Sequence, residues 1–193
     1  MIEKFVDKLV NNQLKEKKIP QEEINIYKYG YTLLCEVFLN IIIAIIIGVL
    51  SEQLINITLF LVIYIPLRSF CGGWHADKIW KCTIFSNLIL VAMVLIDYQY
   101  SSNFKMIVMV IVFGICLAAI FWQAPIDTKS KPISRQEKEV YKKKISIIML
   151  IHTVFIGTAL MFGYKSIIFV FTYSYIIQYI MLVLETLNKK LEK

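Results

Sequence analysis

The chain has 193 residues, is 58% hydrophobic, and carries 21 Lys and Arg against 14 Asp and Glu, a formal net charge of +7. A soluble domain runs at about 45–50% apolar. This composition therefore excludes an ordinary soluble domain, a disordered or collagen-like chain, and a nucleic-acid binder that reads bases with a folded basic face. What remains is a polytopic membrane protein whose charge is concentrated outside its apolar runs.

Cys35, Cys71, Cys82 and Cys116 sit at irregular spacing, mostly in or beside apolar runs, which is not a secreted disulfide framework. Residues 1–28 are charged and lack an early apolar core, so no signal peptide is expected. No repeat or linker divides the sequence, so residues 1–193 read as a single integral-membrane domain.

In residues 1–18, Ile2, Phe5, Val6, Leu9, Val10 and Leu14 share one helical face, with lysines mostly elsewhere. Such an amphipathic helix suits a membrane interface; packing on the rest of the protein is the equal alternative. Uncharged runs then mark six spans: 29–51 (broken only by Glu36), 53–67, 82–96, 106–126, 145–164 and 166–184. The last three, at 21, 20 and 19 residues, are long enough to cross about 30 Å of hydrocarbon. The second and third hold 15 residues each, about 22 Å of helix. Either polar residues flanking them snorkel, or the segment between them dips into the membrane. The expected fold class is all-α: a helical membrane bundle of about six transmembrane helices plus the N-terminal amphipathic helix.

Lys and Arg sort by connection: six in the N-terminal stretch, three in 68–81, seven in 127–144 and three in the C-terminal tail, against only Lys105 and Lys165 in the alternate connections. The positive-inside rule then predicts a multi-pass cell-membrane protein with both termini, the 68–81 segment and the basic 127–144 loop in the cytoplasm.

The chemistry is concentrated in Pro66-Leu-Arg-Ser-Phe-Cys-Gly-Gly-Trp-His-Ala-Asp-Lys-Ile-Trp-Lys-Cys82, which joins the two short spans. It holds one of the two histidines, two of the four cysteines and the tandem Gly72-Gly73. A Cys with a His suggests thiolate chemistry, since the imidazole can generate the nucleophile. Cys71 lies four residues before His75, but the two glycines argue against a helix there. Cys82 lies seven residues after His75, about 10.5 Å along a continuous helix and too far for a hydrogen bond. A His75–Cys82 dyad thus demands a break, with His75 in the glycine turn folding back over a helix that starts near Asp77. The plain alternative is a turn with an interfacial His and a packed Cys. A metal site from Cys71, His75, Asp77 and Cys82 has no tight ligand pairing and is the weaker reading.

The stretch Arg68-Ser-Phe-Cys-Gly-Gly-Trp-His75-Ala-Asp-Lys-Ile-Trp-Lys-Cys82 resembles the signature of the accessory gene regulator B (AgrB) family, membrane-embedded cysteine endopeptidases of Gram-positive quorum sensing. Chain length, six apolar spans, the basic loop and Ala124-Pro125…Lys131-Pro132-Ile133 extend the similarity over nearly the whole chain. The resemblance implies Cys82 as nucleophile and His75 as general base, with Arg68, Gly72 and Gly73 as supporting positions. Asp77 is a candidate to orient His75, while Cys71 matches no catalytic position. The implied substrate is an AgrD-like pro-peptide whose C-terminal tail is cleaved through an acyl-enzyme thioester, permitting (thio)lactone macrocyclisation. Such a thioester needs protection from water, which a recess in the bilayer offers. No metal or other cofactor is implied, and a homodimer is implied only through the family.

Other readings stand beside this one. The loop cations, with Lys129, Lys131 and Arg135 as the candidates, suit an acidic peptide tail, or simply set topology beside anionic lipid. Glu36 is an intramembrane carboxylate expected to face the bundle interior, and His152 reads as a packed polar residue. The rival functions are a small peptide exporter and a non-catalytic membrane scaffold; the first is weakened by the absence of an internal repeat.

Overall fold

The computed structural model describes residues 2–16, 20–74, 79–100, 105–127 and 133–191. Among them every regular element is helical: α1 (Ile2–Lys15), a short 3-10 turn (Gln21–Glu23), α2 (Ile24–Leu50), α3 (Leu54–Cys71), α4 (Ile79–Tyr100), α5 (Met106–Gln123), α6 (Arg135–Met161) and α7 (Lys165–Leu191). The six helices α2 to α7 are each long and apolar enough to cross a membrane. The chain is an all-α polytopic bundle preceded by one amphipathic helix.

The two spans that look short in sequence are longer as helices. α3 has 18 residues and takes in Pro66 and Arg68; α4 has 22 and takes in Lys81 and Asp97. By helical rise they reach about 27 Å and about 33 Å. A charged residue does not end a helix whose fold supplies it with partners. Asp97 is buried and its Oδ2 accepts from Asn56 Nδ2 at 3.2 Å, while Arg68 is held by backbone carbonyls described below.

The 127–144 stretch is also less of a loop than its charge suggests. Ser134 and Glu137 form a capping box: the Glu137 N–H donates to Ser134 Oγ at 3.3 Å and the Ser134 N–H to Glu137 Oε2 at 2.9 Å. Two otherwise orphaned donors are satisfied, so α6 starts at Arg135. Arg135, Lys138, Lys142, Lys143 and Lys144 therefore stand on helix, not loop. Lys129 and Lys131 lie outside the described residues.

α1 packs in part against α2. Val6 and Val10 are buried, Lys28 Nζ meets Asp7 Oδ1 at 2.5 Å, and Tyr31 Oη donates to Gln13 Oε1 at 2.9 Å. These contacts tie α1 to the first turns of α2. Phe5 nonetheless remains 58% exposed.

The centre of the bundle is α7, which packs on α3, α4, α5 and α6. All eight residues from Ile168 to Tyr175 are buried, so this stretch of the helix is enclosed on every side. Polar side chains fasten it. Thr172 Oγ1 shares its proton between Ile168 O of its own helix at 2.8 Å and Met109 O of α5 at 3.2 Å, and Tyr173 Oη donates to Ile89 O of α4 at 2.8 Å. Tyr175 Oη lies 3.1 Å from His152 Nδ1 of α6, so the packed role expected for His152 holds. At one end of the bundle, Ser166 Oγ donates to Asn56 Oδ1 at 2.9 Å and extends the Asn56–Asp97 bond into a link across α3, α4 and α7. By contrast α2 shows Leu34, Val37, Phe38, Ile45, Ile46 and Val49 to the surroundings, a surface suited to lipid. Glu36 on that helix is only half-buried.

Candidate active site

The site is built where α3 stops. Gly72 has φ 75° and ψ −160°, and Gly73 has φ 128°, backbone states that side chains with a Cβ rarely adopt. Space makes the same demand. A Cβ on Gly72 would stand 2.5 Å from Ile126 O, and one on Gly73 would strike the Arg68 guanidinium and lie 3.1 Å from Met181 Cβ. Both residues must be glycine because the turn is both left-handed and closely covered.

Arg68, in the last turn of α3, holds that turn together. Its Nη1 donates to Gly72 O at 2.7 Å and its Nη2 to Gly73 O at 3.2 Å. The same Nη2 donates to Trp74 O in a short contact. A planar guanidinium can serve three carbonyls in this way, and its charge complements the carbonyl end of the helix.

Residues far away in sequence complete the clamp. Gln178 Nε2 of α7 donates to Gly72 O at 2.9 Å, the Trp74 N–H donates to Met181 O at 3.0 Å, and the Ile126 N–H donates to Cys71 O at 3.0 Å. The turn is thus pinned between α7 and the segment after α5.

Trp74, at the end of the clamp, reaches α4. The Trp74 ring packs edge-on against Phe85 with centroids 5.6 Å apart. Phe85 follows Cys82 by three residues and so shares its face of α4. Cys82 is half-buried near the start of that helix, and Tyr64, one turn before Arg68 on α3, is within electrostatic range of both Arg68 and Cys82. Cys71 differs sharply: it is fully buried under the turn, in keeping with a small packed residue.

Of the residues singled out by sequence, the structure joins Arg68, Gly72 and Gly73 directly and sets Cys82 on the adjoining helix. His75 and Asp77 lie outside the described residues. Arg135 is exposed at the first position of α6. Further along that helix, Lys142 Nζ lies 5.6 Å from the Phe121 ring centroid and Lys144 Nζ 4.8 Å from that of Phe70, next to Cys71. Lys144 at least therefore stands at the same end of the bundle as the glycine turn. Among the described residues no three His, Cys, Asp or Glu side chains gather as metal ligands.

Sequence reasoning missed Gln178, Met181 and Tyr64. A glutamine within an otherwise apolar span was the one available signal for Gln178, since intramembrane polar groups turn inward for partners. Met181 acts through its backbone carbonyl and leaves no signal in the sequence.

A family model described as accessory gene regulator B matches residues 2–182. The chain belongs to the accessory gene regulator B family. Relatives bear this out. An AgrB-like protein of Clostridium perfringens strain SM101 is 30% identical over 162 residues, covering 81% of this chain and 75% of its own. Protein FsrB of Enterococcus faecalis is 27% identical over 161 residues, covering 83% of this chain and 65% of FsrB. An AgrB-like protein of Listeria monocytogenes is 33% identical over a shorter stretch of 104 residues, 53% of this chain and 48% of the relative. No solved structure matches the chain. Membership of the AgrB family ties the chain to accessory gene regulation and quorum-sensing peptide processing.

Proposed function

We propose that this AgrB-family chain is a membrane-embedded cysteine endopeptidase that removes the C-terminal tail of an AgrD-like pro-peptide and hands the acyl group to a nucleophile within the peptide. The observation that carries the reading is the clamped Gly72-Gly73 turn, with Trp74 packed on the Cys82 face of α4. A thiol and an imidazole seven residues apart need the chain to fold back between them, and a fixed glycine turn beside Trp74 supports that fold-back.

In this reading His75 takes the Cys82 proton, and Cys82 Sγ attacks the carbonyl before the tail. The peptide C–N bond breaks, the leaving amine takes the proton from His75, and the acyl group stays on Sγ as a thioester. A substrate thiol or hydroxyl then gives its proton to His75 and attacks the same carbonyl. The S–C bond breaks, the proton returns to Cys82, and a macrocyclic thiolactone or lactone leaves. One thioester exchanged for another needs little driving force, so keeping water out matters more than lowering the final barrier. Arg68 positions the turn, and Asp77 orients His75.

The remaining assignments follow the charge. Both termini and the glycine turn face the cytoplasm by the positive-inside rule. Lys129, Lys131 and Arg135 bind an acidic substrate tail by charge complementarity. The chain works as a homodimer in the lipid bilayer.

The test is co-expression with the AgrD-like pro-peptide, followed by mass spectrometry for the released tail and for an acyl adduct on Cys82. Cys82→Ser and His75→Ala should abolish tail release, and Cys71→Ala should retain it. Processing by Cys82→Ser or His75→Ala at the rate of the unaltered chain refutes the peptidase. Loss with Cys71→Ala but not with Cys82→Ala moves the nucleophile.

A further inference from the structure

Between α2, α3 and α4 lies a cavity of about 220 Å³ whose walls include Asn40, Tyr64, Ser86, Asn87 and Leu90. Its size narrows its use. Pockets for free drug-sized ligands run at about 300–1,000 Å³, whereas a dry cavity of about 150 Å³ accepts one benzene ring. The space therefore suits one large apolar side chain, or two small ones, of a ligand tethered elsewhere.

Its position supplies the tether. Ser86, Ile89 and Leu90, all in the cavity wall, follow Cys82 by four, seven and eight residues, so they continue the face of α4 that Cys82 begins, about 6 to 12 Å farther along the axis. Extended peptide advances about 3.3–3.6 Å per residue, so two residues span the distance from Cys82 to the near wall. Tyr64, on the α3 side of the cavity, is within electrostatic range of Cys82, so the cavity adjoins the thiol from both helices.

We propose that this cavity is the subsite for an apolar side chain of the peptide's acyl segment, within two residues of the carbonyl that joins Cys82. The inference rests on the peptidase reading above. A filled subsite holds the acyl group against α4 while the internal nucleophile approaches, and keeps the wall beside the thioester dry. The cavity also borders Val37, Ile41 and Ile65, which are exposed on the outer faces of their helices. A lipid tail is therefore the competing occupant.

The experiment uses the full chain in lipid nanodiscs with three AgrD-like pro-peptides differing only in the residue before the scissile bond: Ala, Leu or Phe. The unaltered chain should favour Leu or Phe over Ala by about tenfold or more in kcat/KM. Ser86→Phe, which fills the cavity, should cut that ratio about tenfold, and Leu90→Ala, which enlarges it, should shift preference from Leu towards Phe. Equal kcat/KM for the three peptides, or a preference that neither variant moves, overturns the subsite and leaves the cavity to lipid. A second measurement needs no turnover: a peptide with benzoylphenylalanine before the scissile bond, photolysed on the Cys82→Ala chain. Cross-links at Ser86–Leu90 support the subsite even if no peptide is cleaved, whereas cross-links confined to other helices overturn it. If cleavage fails for every peptide, the peptidase reading fails, and the cross-link map still decides the cavity.

Discussion

Replacing Arg68 with lysine keeps the charge at the end of α3 and removes the fork. In the native turn the guanidinium serves the carbonyls of Gly72, Gly73 and Trp74. A lysine ammonium is a point donor on a flexible stem and cannot span three carbonyls that diverge along a turn. If it keeps one of them, two charge-assisted bonds are lost at about 1.5 kcal/mol each, the lower end of their range, or about 3 kcal/mol in all. That is about a hundredfold in the occupancy of the ordered turn. Gln178 still holds Gly72 O, so the helices should remain assembled, while the Trp74 N–H loses its bond to Met181 O whenever the turn opens. Hydrogen exchange by mass spectrometry on the full chain in nanodiscs should therefore show faster exchange at the Gly72 and Trp74 amides, whose N–H groups bond Arg68 O and Met181 O, with α5 and α7 unchanged. Pro-peptide cleavage should fall by about the same factor of a hundred, without loss of protein from the membrane fraction. Unchanged exchange at those two amides refutes the clamp, whatever happens to cleavage. Faster exchange with cleavage within threefold of native would mean that the turn is real but does not position the reaction.

Gly72→Ala should cost about 1–3 kcal/mol in backbone strain alone, and its Cβ would also meet Ile126 O at 2.5 Å; cleavage should fall at least tenfold while circular dichroism shows full helix. Gln178→Leu removes a donor to Gly72 O together with a buried Oε1 that has no partner among the described residues. The thermal midpoint should stay close to native while cleavage falls several-fold, and a large drop in midpoint would make Gln178 a structural residue instead. Tyr175→Phe strips His152 Nδ1 of its hydroxyl partner and should destabilise the α6–α7 contact by about 1–3 kcal/mol. Adding His152→Phe should recover part of that loss in a double-mutant cycle, and strictly additive effects would show that the two side chains are not coupled.

Much of the architecture is legible in the sequence because the bilayer imposes it. Six apolar runs, the sorting of nineteen of twenty-one basic residues to alternate connections and the tandem glycine after Arg68 follow from composition along the chain. Helix ends were less legible. Uncharged length understated α3 and α4, because Arg68 and Asp97 find partners that only the folded bundle provides. The Ser134–Glu137 capping box was readable, yet the positive charge of the stretch pointed to a loop.

The membrane class, the number of spans and the segment that carries the candidate chemistry are all written in the order of residues along the chain. Tertiary structure decided which helix lies at the centre. In lipid an apolar side chain is equally at home against a tail or against a neighbour, so hydrophobic periodicity does not separate α7, whose stretch Ile168–Tyr175 is buried on all sides, from α2, largely exposed. It also decided what holds the turn. Gln178 lies 106 residues beyond Gly72, and Met181 and Ile126 act through backbone atoms whose partners no residue code specifies. Between the two cysteines, burial made a distinction that spacing alone did not: Cys71 is sealed beneath the turn, while Cys82 is half-buried on the face that Trp74 reaches through Phe85. A short motif can mark where the chain breaks, but the direction in which it then runs is set by packing between helices that are remote in sequence.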